Sequence, residues 1–145
     1  MSLRTQRGTS LTEVLITMLI VSIALLGIAG VVSTGLKGTH AAQGRSQASL
    51  LAADIIDRMR ANRLQAQSEK LPYNIAVEDA TPDGTTVPAQ DLRAWRTALQ
   101  NLLPSGSGAV TVANDGTWKV TVTVQWDESR VGGSNTQTFT VETRL

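Results

Sequence analysis

Hydrophobic positions follow three different rules along this chain. From Val14 to Leu36 no charged side chain interrupts the run, and apolar residues fall on every side of a helical projection. All-round apolarity suits lipid or the inside of a helix bundle, and about 20 such residues span about 30 Å of hydrocarbon. After Leu36 the segment turns polar at Lys37, Thr39, His40, Gln43 and Arg45. Ala48, Leu51, Ala52, Ile55, Met59 and Ala66 then recur near i, i+3, i+4 and i+7, which predicts one apolar stripe. Asp54 and Arg58 form a favourable i, i+4 pair on its flank. The two patterns together predict one helix from about residue 10 to 66, about 85 Å long at 1.5 Å per residue. Residues 9–36 are its apolar half and 37–66 its amphipathic half. A stalk that becomes the spine of a small head has this pattern.

The third rule governs the head, residues 67–145. Pro72, Pro82, Asp83, Gly84 and Pro88 mark 67–90 as a long loop. Asp91 is a candidate N-cap for a short helix over 91–103 that Pro104 stops, with Leu92, Trp95, Leu99 and Leu102 on one face and Trp95 in the core. Ser105–Gly108 reads as a linker. Ala109–Ala113, a turn at Asn114-Asp115-Gly116, and a strand over 117–126 make a hairpin. Alternation places Trp118, Val120, Val122, Val124 and Trp126 on one face, which should cover the amphipathic half of the long helix. Gly132–Asn135 turns the chain into a last strand over 136–144, where Thr138, Thr140 and Glu142 alternate with Gln137, Phe139 and Val141. The expected class is α+β, with an antiparallel sheet of about three strands on a helix.

Composition narrows the function classes. If residues 1 to about 36 belong to a membrane, about 110 remain for the water-facing part, enough for one small core. Thirteen basic residues are answered by 12 acidic ones, and no basic stripe argues for nucleic acid. The absence of Cys excludes disulfides and thiolate metal sites. His40 is the only histidine, and no metalloprotease, phosphate-loop, dinucleotide or EF-hand signature occurs. Asp115, Asp127 and Glu128 have the oxygen chemistry for calcium, but turns collect acids anyway. Neither catalysis nor a cofactor or metal is expected.

The N-terminus carries the sharpest feature. Arg4 and Arg7 precede the apolar run, so the positive-inside rule leaves this end in the cytoplasm and exports the rest. Glu13 stands at the head of the run, where a charge costs about 2.5–3.5 kcal/mol even on lenient insertion scales. A secretory signal cleaved near Gly27-Ile28-Ala29 is the ordinary alternative, but such a signal gains nothing from an acid there. A Ser10-x-x-Glu13 capping box is the local structural reading of the same acid. Gly27 and Gly30 allow close helix packing, although their spacing is not GxxxG.

Arg7-Gly8, then Thr9-Ser10-Leu11-Thr12-Glu13, then an apolar run, resembles the type IV prepilin (class III) signal over about 30 residues. The resemblance implies a type IV pilin-like fold and cleavage by a prepilin peptidase between Gly8 and Thr9, with N-methylation of Thr9. The family usually has Phe where this chain has Thr9. Glu13 would then be the acid that assembly uses, because a carboxylate inside an apolar bundle is tolerable only beside an opposite charge. The ammonium of a neighbouring subunit, created at Thr9, is the natural partner.

Asp54-Ile55-Ile56-Asp57-Arg58-Met59-Arg60-Ala61-Asn62-Arg63 is similar to a string shared by PilV-type minor pilins (type IV pilus modification proteins). That resemblance implies a minor pilin, made as a single-pass inner-membrane precursor and built into a type IV pilus that serves motility and adhesion. Its implied partners are the prepilin peptidase, the major and other minor pilins, and the inner-membrane assembly platform. Asp54, Asp57, Arg58, Arg60 and Arg63 offer either a solvated helix face or a surface for another pilin. A type II secretion pseudopilin shares the leader and architecture. A membrane-anchored binding domain that never polymerises is the alternative from another class.

Overall fold

Leucine, isoleucine and valine dominate the run after Thr12, and the chain is helical from Leu11 to Ala61 (α1) in the computed structural model, which describes residues 10–145. Two units divide between Gly38 and Thr39. In the first, Leu15, Leu19, Ile23, Leu26 and Val31 are all exposed. α1 is also the one helix among the described residues long and apolar enough to cross a membrane.

The second unit, from Thr39 onward, holds the core. All six stripe positions are buried: Ala48, Leu51, Ala52, Ile55, Met59 and Ala66, with Ile56 beside them. The helix stops earlier than its periodicity predicts. Asn62 leaves helical geometry (φ −111°, ψ 41°), and a single turn, α2 (Arg63–Ala66), follows. There the Asn62 side-chain amide donates to the Tyr73 hydroxyl at 3.1 Å, a bond to the head made just where α1 ends.

Three strands complete the layer: β1 (Ser107–Val112), β2 (Lys119–Trp126) and β3 (Gln137–Arg144). They form one antiparallel sheet in the order β1-β2-β3, with Val110 opposite Val122 and Val122 opposite Val141. Val120, Val122, Val124 and Trp126 face the core in strict alternation, and Phe139 and Val141 cover its flank. A long N-terminal helix whose second half packs on a three-stranded antiparallel sheet is an α+β arrangement consistent with a pilin-like fold.

Several boundaries differ from expectation for physical reasons. The head helix, α3, runs Val87–Leu102 and not 91–103, because Thr86 is its cap and Pro88 sits in its first turn, where the missing N–H costs nothing. Asp91 is therefore inside the helix, and the preceding loop is shorter than 67–90. Leu103 leaves the helix in an extended conformation and turns into the core, while Leu102 stays half exposed. Ser107 and Gly108 pair with β2 and are no linker. Gly108 is required there, since a Cβ would lie 2.5 Å from Trp95 Cη2. Trp118 falls outside β2 with φ +50°, so the hairpin loop is longer than the expected turn and the indole packs at the edge of the core.

Candidate functional site

Consider first the exposed apolar helix of the leading unit. Three of its hydroxyls bond back to the helix: Thr17 donates to the Glu13 carbonyl at 2.7 Å, Ser22 to the Met18 carbonyl at 2.7 Å and Thr34 to the Gly30 carbonyl at 3.0 Å. Such back-bonding suits a helix destined for an apolar medium. Glu13 is different. It lies in the first turn of α1, exposed, and no cation among the described residues pairs with it. The capping box does not form. The Ser10 hydroxyl donates to Thr12 Oγ1 at 3.4 Å, while the Ser10 carbonyl accepts the amides of Glu13 and Val14. Among the described residues, then, no contact accounts for the Glu13 charge. Gly8 and Thr9 lie outside the described residues.

The charged string of α1 is brought into contact with the head. Arg58 Nε donates to Asp54 Oδ2 at 3.0 Å and Nη1 stands 3.6 Å from Asp91 Oδ1. Asp91 also accepts the Tyr73 hydroxyl at 2.7 Å. One network therefore joins α1, the loop and α3. The bond from Asp54 raises the Arg58 guanidinium above its ordinary value. Burial, with Asp91 as acceptor, pushes the Tyr73 phenol up to about 12. Arg60 bonds Asp57 at 3.1 Å and Thr143 at 3.2 Å, and Arg63 donates to the Leu145 main-chain oxygen at 2.8 Å. The three arginines thus reach residues outside α1, and the two aspartates are tied through Arg58 and Arg60. Asp57, with 71% of its side chain exposed, is more open than Asp54, Arg58 or Arg60.

A pH dependence follows. The Tyr73 phenol ionises at about 12 when folded against 10.0 ordinarily, so its contribution to stability is complete below pH 10. It is lost as pH rises from 10 toward 12. Denaturant unfolding across that range should show the decline in the wild type, and a Tyr73→Phe variant should show a shallower one.

Two arginines of α3 hold the loop that precedes it. Arg93 donates to the Pro82 and Gly84 carbonyls and pairs with Asp83 at 3.2 Å. Arg96 is buried and donates to the carbonyls of Ala76, Asp79 and Gly108, with its Nε left unbonded. Burial lowers its pKa from the ordinary value, the nearby acids notwithstanding. The turn acids are used locally. Asp115 accepts the Thr117 amide and hydroxyl, and Asp127 accepts the Ser129 amide at 2.7 Å; these bonds hold both carboxyls below their usual range. No three His or acidic side chains among the described residues gather as a metal site.

Sequence reasoning missed Tyr73, Asp91 and Arg96 as organising residues. Their hydrogen-bond partners lie 11 to 20 positions away along the chain, so no local period marks them; a lone Tyr in a proline-rich loop was the only hint. No family model matches the chain, and no curated protein or solved structure matches it.

Proposed function

We propose that this chain is a minor pilin of the PilV kind. A prepilin peptidase cuts the inner-membrane precursor between Gly8 and Thr9, Thr9 is methylated, and the mature chain enters a type IV pilus. One observation carries the reading: an apolar helix surface, exposed from Leu11 to Leu36, whose single charge, Glu13 in its first turn, meets no cation among the described residues. A lipid anchor alone has no use for that acid, whereas a bundle of identical helices gives it the neighbour's terminal ammonium. The folded head on the same chain stays in the periplasm before assembly and on the filament surface after it. Major and other minor pilins, with the assembly platform of the inner membrane, are its partners. Asp57 is more open to a neighbouring pilin than Asp54, Arg58 or Arg60, and Arg58 is engaged inside the head.

Deleting the gene tests the system to which the chain belongs. Surface pili and twitching should fall together while secretion of exoenzymes continues. Loss of secretion with normal pili would assign the chain to a type II secretion filament.

A further inference from the structure

A groove of about 320 Å³ opens in the head between α1, the end of α3 and the segment after β2. Leu103 and Trp126 are buried in its floor, and Pro104 and the half-exposed Leu102 extend its apolar wall to the mouth. Glu128 lies among them and is only 7% exposed. Glutamate is almost never so far from water unless a cation or several donors compensate it. Here Oε1 accepts one hydrogen bond, from Trp126 Nε1 at 2.9 Å, and no ion pair reaches Glu128 among the described residues. Arg130 and His40 share the lining, yet neither bridges it.

The main chain of Glu128 is held on both sides. The Glu128 amide donates to the Ser134 carbonyl at 3.1 Å, and its own carbonyl accepts the Gly133 amide at 3.1 Å. Two glycines leave the room it needs. A Cβ on Gly133 would stand 2.7 Å from Glu128 Cβ and 2.9 Å from Oε2, and one on Gly44 would stand 3.1 Å from Trp126 Nε1. A buried acid in an apolar groove, with one oxygen on an indole, has the chemistry that recognises a cation on an alkyl stem. Gln43 and Gln47 also line the groove, one helical turn apart, and each amide can both donate to and accept from a peptide unit.

From this geometry we infer that the groove receives a lysine or arginine side chain presented by a partner polypeptide, with Glu128 as its counter-ion and Leu102, Pro104 and Trp126 around its stem. The assignment holds whether or not the chain enters a filament.

The test titrates the full chain in neutral detergent micelles with Nα-acetyl-lysine-methylamide, its arginine counterpart, the neutral norleucine analogue and n-pentylamine, following the indole N–H resonance of Trp126. The two capped cations should bind at least tenfold more tightly than norleucine and several-fold more tightly than pentylamine. Glu128→Gln, which retains an acceptor for the indole, should remove the preference over norleucine. Leu102→Gln, at the exposed mouth, should weaken both capped cations severalfold with Trp95 resonances unmoved. Norleucine binding as well as lysine, or an unmoved Trp126 signal, would overturn the inference. So would pentylamine matching the capped lysine, which would make this a site for a free amine.

Discussion

Replacing Trp95 by alanine lowers the stability of the head by about 3–5 kcal/mol, the usual cost of removing a fully buried aromatic. Trp95 has no exposed surface, and its Nε1 donates to the Leu51 carbonyl at 2.9 Å, so the indole joins α3 to the amphipathic half of α1. Its ring also meets the strand directly at Gly108, where no side chain intervenes. Domains of this size have about 5–15 kcal/mol in total, so the loss is a large share of what holds the head together. Denaturant unfolding of the full chain in micelles, read through the remaining tryptophans, should show the midpoint fall steeply. A loss under about 1 kcal/mol would mean that the core tolerates collapse around this position.

Glu13→Val acts at the other unit and in a different way. Removing the charge eases membrane insertion, by less than the ~2.5–3.5 kcal/mol that a charge costs at a helix centre, so the precursor should accumulate in the membrane at least as well as the wild type. Incorporation into filaments should nevertheless fall more than a hundredfold. Breaking a buried ion pair by removing one partner costs about 3–5 kcal/mol, because the remaining ammonium is left uncompensated among apolar helices. Comparing sheared pili with membranes by immunoblot separates the two effects. Equal incorporation of the variant would remove the pairing account, and with it the strongest reason to read the helix as more than an anchor.

The parts of this fold legible in the sequence are those where one period persists. The stripe from Ala48 to Ala66 and the alternation from Val120 to Trp126 both describe buried faces, because each residue's environment is set by its neighbours three, four or two positions away. Helix ends were less legible. Pro88 looks like a loop residue, yet in the first turn of α3 it favours the helix, and Leu103 replaces Leu102 in the core because the chain leaves the helix between them. Trp118 alternates correctly with Val120 but adopts a positive φ, a choice made by the whole hairpin and not by local spacing. The Arg58–Asp91–Tyr73–Asn62 network was invisible for a simpler reason. It joins three segments that meet only when the head has folded.

The charged string illustrates the same divide at the level of function. Read along the helix, Asp54, Asp57, Arg58, Arg60 and Arg63 form a mixed-sign face. In the folded head Arg58 serves the internal network, while Arg60 and Arg63 reach Thr143 and Leu145 at the end of the chain described. What remains open to a partner is narrower than the string and centres on Asp57.

The central claim is that the mature chain keeps its apolar helix and places a new ammonium four residues before Glu13. Mass spectrometry of the N-terminal peptide of the processed protein tests it most directly. The account predicts a mature chain that begins at Thr9 and carries one added methyl group on its amine. A chain beginning at Gly30, with the apolar helix discarded, or an uncut Met1, would contradict it.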